Sequence, residues 1–234
     1  MIPPEHVEIV EDLSSFGVHA FTTTRAVGSF STGSDAPVRD VMGRWDALRT
    51  TAASHGVRRL ATAWQVHGAH VLVHNPGWEG WLRGTQADGH LVVARGTAMA
   101  VTIADCVPVF IAHPSGAVAI LHSGWRGTAA RIVEQGIAAL AHRGFPPREL
   151  RMHLGPAICG ACYEVSADVF HQLTGERVSA PTTVDLRALV AAHARASGVR
   201  HVTISPSCTR HHNERFFSHR AGDKGRQVAV ILAE

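Results

Sequence analysis

The sequence predicts an α+β fold, a layered α/β arrangement in a single domain that spans residues 1–234. Two observations predict this class. Strand-like and amphipathic helical segments are intermixed along the chain without a regular strand–helix–strand alternation, and no internal repeat or low-complexity linker divides it. Because 45% of the 234 residues are hydrophobic, the chain can bury a sizeable core, which excludes a disordered or fibrous protein.

The first half of the chain predicts one loop, one helix and several strands. Residues 28–40 are rich in Gly, Ser, Thr and Asp and predict an exposed loop. Apolar residues close to helical spacing then predict a helix over residues 41–54. Small and β-branched residues predict a strand, a turn and a strand over residues 60–73, and single strands over 87–93 and 98–104.

The second half predicts a hairpin, three helices and three further strands. The hairpin pairs residues 107–112 with 117–122 around a His-Pro-Ser-Gly turn. The clearest helix covers residues 127–142 and ends before a Gly and two prolines. Ser166 is the expected N-cap of the next helix. The remaining segments are helices over 166–173 and 185–198 and strands over 148–154, 199–204 and 227–232.

Charge and composition exclude several classes of partner. The formal net charge is +3 with neutral His, and no run of Lys or Arg is present to bind nucleic acid. The most apolar segment, residues 96–112, is broken by Asp105 and Pro108, so no membrane partner is predicted. With no signal-like N-terminus and four Cys, we expect a cytoplasmic protein with reduced thiols. The 17 His raise the question of metal and proton chemistry without answering it.

One candidate metal site combines His67, Cys106 and His122. Each residue lies where a predicted strand ends in a Gly or Pro turn, so a rigid element would hold the ligand beside a cleft. Two imidazoles and a thiolate suit zinc or copper, and three protein ligands leave a fourth position for water or substrate. Because these separations along the chain carry no local signature, three unrelated buried polar residues remain an alternative.

A second candidate metal site contains most of the cysteines. Cys159 and Cys162 combine with Cys208 and His211, or with His212 in its place, as a Cys3His structural zinc site. The alternatives are that these cysteines are small buried hydrophobic side chains or that the first two form a redox pair.

A third set, His67, His70 and His74, would share one face of a helix. The sequence between the last two is Val-Leu-Val, which favours a strand instead. In a strand, His70 and His74 are expected at solvated positions.

Three arginines are candidate anion ligands. Arg25 stands beside a Gly/Ser loop, Arg126 stands between two glycines, and Arg220 follows Phe-Phe-Ser-His. Guanidinium groups suit bidentate contacts to phosphate or carboxylate, although surface ion pairs are the commoner use of a single Arg.

Taken together, these segments resemble a known family, described as multicopper polyphenol oxidase or laccase-like, as purine nucleoside phosphorylase and as peptidoglycan-editing factor. The motifs follow the family's order from about residue 20 to the end of the chain, and they are specific as a set. They are Thr23-Thr24-Arg25 with Gly28-Ser29-Phe30-Ser31-Thr32-Gly33, Gln65-Val66-His67-Gly68, Ala87-Asp88-Gly89, Ala104-Asp105-Cys106-Val107-Pro108, His122-Ser123-Gly124-Trp125-Arg126-Gly127, Leu154-Gly155-Pro156-Ala157-Ile158, Cys162-Tyr163-Glu164-Val165, Cys208-Thr209 and Phe217-Ser218-His219-Arg220 with Gly225-Arg226.

The resemblance implies a four-layer α/β/β/α sandwich of the cysteine hydrolase-like type. It implies that His67, Cys106 and His122 hold one zinc ion, with copper as the alternative metal. It also implies that the partners are a purine nucleoside and phosphate. The expected reactions are phosphorolysis of adenosine, inosine, guanosine or methylthioadenosine and deamination of adenosine. Asp105 would orient a ligand His, relay a proton or cap its turn, and the candidates to bind phosphate or substrate are Arg25, Gln65, Arg126 and Arg220.

The sequence departs from the family pattern in two places. The loop after Gly33 lacks the usual Ser-Leu-Asn, which would change the substrate rim. His113 stands in a turn where an acidic residue is common.

Three rival functions remain open from the sequence. Cys106 could be the nucleophile of a cysteine hydrolase, with His122 as its base, acting on amino-acid or peptidoglycan-precursor bonds. A laccase-like copper phenol oxidase would need several clustered His sets. A non-catalytic, zinc-stabilised module would use Cys159, Cys162, Cys208 and His211.

Overall fold

The computed structural model describes residues 1–234 and contains two six-stranded mixed sheets. The strands are β1 (Val7–Ile9), β2 (Val18–Thr23), β3 (Arg59–Ala63), β4 (Val71–His74), β5 (Gly80–Gly84), β6 (Gly89–Val92), β7 (Thr97–Ile103), β8 (Val107–Ala112), β9 (Val118–Ser123), β10 (Arg151–Leu154), β11 (Glu164–Val165), β12 (Thr182–Thr183), β13 (His201–Ile204) and β14 (Gln227–Ala233). The α-helices are α1 (Val38–Ser54), α2 (Trp125–Ala129), α3 (Ile132–Ala141), α4 (Ala167–Thr174) and α5 (Leu186–Ala196). This mixture of helices and mixed sheets fits the α+β class that the sequence predicts.

Each sheet joins distant parts of the chain. The first sheet has the strand order β1-β2-β14-β7-β3-β5, in which β3 runs parallel to both of its neighbours. The second has the order β13-β10-β8-β9-β6-β4, with parallel pairs at its two edges. In the first sheet, β2 near the N-terminus pairs with β14 at the C-terminus. The single domain of residues 1–234 stays a prediction.

Three apolar clusters pack the elements together. One lies between the two sheets, where Phe110 and Ile120 of the second sheet meet Val101 and Ile231 of the first. Another packs α1 on the opposite face of the first sheet. The largest joins the second sheet to α3 and α5. The predicted four-layer sandwich of the cysteine hydrolase-like type stays a prediction.

Two sequence predictions with strong patterns are confirmed. The helix predicted over residues 41–54 is α1, which begins at Val38. Its apolar positions are buried because they recur on the face toward the first sheet. The predicted hairpin is the antiparallel pair β8 and β9, and every residue of both strands is buried. Strands covered on both faces appear in the sequence as continuous apolar runs.

The helix predicted over residues 127–142 is instead two helices, α2 and α3. Arg131 separates them because its backbone adopts the left-handed conformation, with φ of 62°. A non-Gly residue in this region is uncommon, and apolar periodicity carries no sign of it. The loop predicted over residues 28–40 also differs, because Ser29 and Phe30 are buried and α1 includes its last residues. Trp45 explains part of this burial, since its Nε1 donates to the carbonyl of Phe30 at 3.0 Å.

Sequence patterns do not predict β1, β2 or β5. Polar residues interrupt β2, and β5 begins and ends at Gly, so neither segment has a clear period of two. None of the helices combines the length and the apolar character that crossing a bilayer requires.

Candidate active site

The structure brings His67, Cys106 and His122 together, although they are far apart in the sequence. Their ligand atoms all lie within 4.8 Å of one another. His67 lies between β3 and β4, and Cys106 lies between β7 and β8. Both connections pass from the first sheet to the second, and His122 lies near the end of the neighbouring strand β9. The three side chains therefore meet where the chain crosses between the sheets.

The backbone around these three residues, here called the His2Cys cluster, adopts unusual conformations. His67 has a φ of 61°, and Asp105 has a φ of 79°. Left-handed backbone at a non-Gly residue costs about 1–3 kcal/mol and is often found at functional sites. At Gly124, a Cβ would lie 2.9 Å from Sγ of Cys106 and 3.4 Å from Cδ2 of His67. The open space beside the sulfur therefore depends on the absence of a side chain at Gly124.

A buried carboxylate, Asp88, orients two parts of the cluster. Its Oδ1 accepts a hydrogen bond from Nδ1 of His122 at 2.7 Å. Its two carboxylate oxygens also accept hydrogen bonds of 2.7–3.1 Å from backbone N–H groups, Oδ1 from His67 and Oδ2 from Val66 and Gly68. Since Nδ1 of His122 is occupied, Nε2 is the nitrogen left for a metal. Sequence reasoning did not select Asp88 as a site residue, and its one signal was its place in a family motif.

The buried groups shift one another's pKa. Burial raises the pKa of the Asp88 carboxyl, but hydrogen bonds from His122 and the backbone bring it below its usual value. Burial lowers the pKa of His122, yet the Cys106 sulfur and Asp88 outweigh burial and raise it. Burial raises the pKa of the Cys106 thiol, but the imidazoles of His122 and His67 bring it below its usual value. The arrangement therefore favours a thiolate beside the imidazoles, which is the state in which Cys binds a metal.

The His2Cys cluster opens into a cavity of about 280 Å³. This volume is close to the lower end, roughly 300 Å³, of pockets that bind small molecules. The wall carries two aromatic rings, two guanidinium groups and an exposed imidazole, which are Trp125, Tyr163, Arg126, Arg220 and His219. Such a cavity can receive a small, partly aromatic, anionic group.

The two arginines of the wall differ in how firmly they are held. Arg126 has no side-chain hydrogen bond, and its guanidinium lies 4.3 Å above the ring of Trp125. Arg220 donates to the carbonyl of Glu164 at 2.9 Å and lies 5.1 Å from the ring centroid of Tyr163. Burial raises the pKa of Tyr163 to about 12, so its phenol stays neutral. Arg126 is therefore the more available of the two guanidinium groups.

Two residues predicted to bind phosphate or substrate, Arg25 and Gln65, are not brought to this cavity. The guanidinium of Arg25 donates to two backbone carbonyls and pairs with Asp223. The amide of Gln65 donates to the carbonyl of Thr102 at 2.8 Å and accepts from its backbone N–H at 2.8 Å. Internal partners occupy both side chains, and Gln65 lines a separate cavity of about 250 Å³.

Asp105 lies in the cavity wall but has no hydrogen bond to a ligand His. Its Oδ1 accepts from Oγ1 of Thr209 at 2.6 Å, and its Oδ2 accepts from the backbone N–H of Arg220 at 2.7 Å. Asp105 thus ties the turn before Cys106 to the loop that carries the second cavity arginine. The orienting role predicted for Asp105 belongs to Asp88.

The prediction of solvated positions holds for His70 and is wrong for His74. His70 is exposed, and its Nδ1 lies 3.0 Å from the carbonyl of Gln86. His74 is buried, and its Nε2 lies 2.9 Å from Nδ1 of His90. Neither residue belongs to the His2Cys cluster.

The second predicted cluster also forms. Ligand atoms of Cys159, Cys162, Cys208 and His211 lie within 4.8 Å of one another, and His212 is not among them. It is called the Cys3His cluster below.

Several known proteins are similar to this chain over most of its length. A purine nucleoside phosphorylase of Streptomyces coelicolor is 36% identical over 205 residues, which are 83% of this chain and 84% of that protein. An adenosine deaminase from an unknown prokaryotic organism is 32% identical over an alignment of 251 residues that covers 94% of both chains. The crystal structure of a Neisseria meningitidis protein superposes with a TM-score of 0.85 at 26% identity, covering 98% of this chain and 99% of that chain.

The family itself is identified by a sequence model that matches most of the chain. This model, described as multi-copper polyphenol oxidoreductase laccase, matches residues 26–234. The match confirms the resemblance that the sequence motifs indicate. The chain therefore belongs to the family of the multi-copper polyphenol oxidoreductase laccases.

Proposed function

We propose that the chain is a metal-dependent purine nucleoside enzyme. Its proposed reactions are phosphorolysis of adenosine, inosine, guanosine or methylthioadenosine and deamination of adenosine. The observation that carries the proposal is the convergence of His67, Cys106 and His122 beside a small-molecule cavity whose wall includes the unpaired Arg126. The relatives named purine nucleoside phosphorylase and adenosine deaminase support the same chemistry.

The donor set of the His2Cys cluster fits zinc, with copper as the alternative. Two imidazoles and one thiolate are borderline-soft ligands, and three ligands leave one position open to the cavity. The carboxylate of Asp88 holds Nδ1 of His122, which is the usual outer-shell contact of a metal-binding His. When bound there, zinc would act as a Lewis acid and lower the pKa of a water molecule.

The chain's own residues would bind and orient the substrate. The ring of Trp125 or Tyr163 can pack against a purine, and Arg126 and Arg220 can hold phosphate oxygens by charge-assisted hydrogen bonds. In phosphorolysis, a phosphate oxygen forms a bond to C1′ of the ribose while the bond from C1′ to the purine breaks. Fixing the phosphate beside C1′ lowers the entropic part of the barrier. The exposed imidazole of His219 has no hydrogen-bond partner and can donate a proton to the leaving purine.

A product assay tests this proposal. Purified protein of known metal content is incubated with each nucleoside, with and without phosphate. Free base that forms only with phosphate indicates phosphorolysis, and inosine formed from adenosine indicates deamination. Cys106→Ala and His122→Ala should lose both the metal of this cluster and turnover, whereas His70→Ala is the matched His control and should retain both. Failure of the wild-type protein to convert any of these nucleosides would refute the proposal.

A second candidate function is a cysteine hydrolase that acts on amino-acid or peptidoglycan-precursor bonds. The spatial order Cys106, His122, Asp88 favours it, because nucleophile, base and orienting acid follow the same order in such enzymes. Ligand atoms of Cys106 and His122 lie within 4.8 Å of each other, and His122 is hydrogen-bonded to Asp88. Metal analysis combined with thiol alkylation separates the two functions. Stoichiometric zinc that protects Cys106 from alkylation supports the metal enzyme, and a metal-free, alkylatable Cys106 supports the hydrolase.

The family's description points to copper-dependent phenol oxidation as a third candidate. A multicopper oxidase needs several clustered His sets. The candidate clusters of this chain are one His2Cys set, one Cys3His set and a group of His19, His55 and Glu234. None of these three clusters contains more than two His, so they give poor support for a multicopper enzyme. Phenol turnover by the copper-loaded protein, with no nucleoside turnover by the zinc-loaded protein, would favour phenol oxidation over the nucleoside chemistry.

A further inference from the structure

We propose that the Cys3His cluster is a second metal site, which binds a structural zinc ion independently of the His2Cys cluster. The proposed ligands are Cys159, Cys162, Cys208 and His211, whose ligand atoms already lie within 4.8 Å of one another. This inference does not depend on the proposed nucleoside chemistry, because it concerns a separate set of side chains.

Two short turns of the same spacing supply these ligands. Cys159 and Cys162 are three residues apart around a tight turn, in which the N–H of Cys162 donates to the carbonyl of Cys159 at 3.0 Å. Cys208 and His211 are also three residues apart at the start of a second turn. Ligand pairs separated by two residues are typical of structural zinc sites, because such a turn aims both side chains at one point.

The two turns are held against each other by the backbone. Ala157 forms a parallel bridge with Cys208, and the N–H of Thr209 donates to the carbonyl of Ala157 at 3.2 Å. As a result, Sγ of Cys162 lies 3.1 Å from Nε2 of His211, and Sγ of Cys159 lies 3.8 Å from Nδ1 of the same ring. One nitrogen of the ring already lies within 4.8 Å of all three sulfurs, so it can be presented to a shared ion.

The surroundings of Cys208 resemble the outer shell of a metal-bound thiolate. The backbone N–H of Cys159 donates to Sγ of Cys208 at 3.3 Å. A backbone N–H donor aimed at the sulfur is a contact that metal-bound thiolates also make.

Burial argues against these cysteines being core-filling hydrophobic side chains. Cys208 is buried, but Cys159 and Cys162 are half-buried and His211 is exposed. A metal ion could therefore enter from solvent. Three thiolates and one imidazole form a closed tetrahedral set, which is the pattern of a structural zinc rather than of a catalytic one.

The Cys3His cluster also adjoins two chain segments whose residues line the cavity. Ile158 and Tyr163 flank the first turn and line the cavity. His219 and Arg220, which follow His211 by eight and nine residues, line it as well. A zinc ion would cross-link the two loops that carry these groups. We therefore expect the metal to keep the cavity wall in place rather than to take part in chemistry.

Metal analysis of the full-length protein tests the proposal. Protein is made in zinc-supplemented medium and purified without oxygen. We expect two zinc ions per chain in the wild type, one in Cys106→Ser, one in Cys159→Ser and none in the double variant. One zinc per chain in the wild type that persists in Cys159→Ser would overturn the proposal, and so would a disulfide between Cys159 and Cys162 in the protein purified without oxygen.

Cobalt substitution identifies which ligands are used. Charge transfer from thiolate to cobalt in the near ultraviolet scales with the number of bound thiolates. Three thiolates in one cluster and one in the other predict that Cys159→Ser removes more of this absorbance than Cys106→Ser does. Equal loss in the two variants, or no loss in Cys159→Ser, would contradict the assignment.

An exposed ligand provides a variant that should not disturb folding. His211→Ala should weaken zinc binding at this cluster by about 100-fold or more, since even outer-shell changes cost 10–100-fold. His212→Ala is the matched control, because that neighbouring His lies outside the cluster. Equal zinc affinity in the two variants, measured by chelator competition in the Cys106→Ser background, would exclude His211 as a ligand.

Discussion

Nδ1 of His122 donates to Oδ1 of Asp88 across 2.7 Å, and both side chains are buried. The same carboxylate accepts the backbone N–H groups of the turn that carries His67. One acidic residue therefore fixes the orientation of one imidazole and the backbone position of the other. These contacts explain how the ligands of two separate segments, His67 and His122, are held in one geometry.

Removal of the charge on Asp88 should weaken metal binding. In Asp88→Asn, the amide has one acceptor oxygen in place of two and no negative charge to hold the His122 tautomer. We expect the zinc affinity of the His2Cys cluster to fall about 10–100-fold, as for other outer-shell changes. Chelator competition measures it, and Asp46→Asn is the exposed control. Wild-type zinc affinity in Asp88→Asn would disprove the orienting role.

A methyl group at Gly124 should block the cluster sterically. The added Cβ of Gly124→Ala would lie 2.9 Å from Sγ of Cys106, so the sulfur must move. We expect loss of metal and of turnover with a folded far-ultraviolet circular dichroism spectrum. Gly43→Ala is the control, since a Cβ in the middle of α1 meets nothing within 4 Å and should stabilise the helix by about 0.5–1 kcal/mol. Full metal occupancy in Gly124→Ala would contradict the geometry.

Phosphate binding should depend on Arg126 more than on Arg25. Arg126→Ala removes an exposed guanidinium whose contact is the ring of Trp125, so we expect the free energy of unfolding to fall by no more than about 1 kcal/mol. The KM for phosphate should rise about tenfold or more, because a hydrogen bond to a charged group contributes about 1.5–3 kcal/mol. Arg25→Ala should instead lower the free energy of unfolding, since it breaks contacts to Asp223 and two carbonyls. If Arg25→Ala instead raises the KM for phosphate and Arg126→Ala lowers the free energy of unfolding, then Arg25 is the phosphate ligand and Arg126 is the structural residue.

Acid should destabilise the fold through His90 and His74. Burial, aided by the charge of His74, lowers the pKa of His90 to about 3, and burial also lowers the pKa of His74. An unfolded His titrates near 6.5, so below that pH the unfolded chain binds protons that the folded chain does not. The free energy of unfolding should therefore be unaffected by this pair above pH 6.5. Between pH 6.5 and about 3 it should fall by up to about 1.4 kcal/mol per pH unit because of His90, and His74 should add to the fall in the same direction.

Urea unfolding at pH 7.0 and pH 5.5, with chelator present in all samples, measures this effect. In His90→Gln, the free energy of unfolding should differ less between the two pH values than it does in the wild type. The reason is that one group with a lowered pKa in the folded state has been removed. An identical difference in the two proteins would assign the acid sensitivity to other groups.

The sequence predicted the parts of the fold that rest on local patterns. The apolar spacing of α1 and the continuous apolar runs of β8 and β9 are each visible within a short window. The break at Arg131 is not visible there, because a left-handed residue in a helix pattern depends on the packing around it. The edge strand β5 has too weak a pattern of its own and forms by pairing with β3.

The candidate site was predictable in its residue types and not in its contacts. His67, Cys106 and His122 are distinguished in the sequence by their Gly or Pro turns and by their motifs. The carboxylate of Asp88 accepts a hydrogen bond from Gly68, which lies in a turn 20 residues earlier in the sequence. A contact over that separation is not visible in any local sequence pattern. Arg25 has the right chemistry for phosphate, but its internal partners are about 190 residues away in the sequence.

The most direct test of the central claim combines product analysis with metal analysis on Cys106→Ala and wild-type protein. With inosine and phosphate, the wild type should release hypoxanthine, and it should release none when phosphate is omitted. Cys106→Ala should contain one zinc ion fewer per chain and release no hypoxanthine. If Cys106→Ala loses that zinc and still converts inosine at the wild-type rate, the His2Cys cluster is not the centre of the reaction.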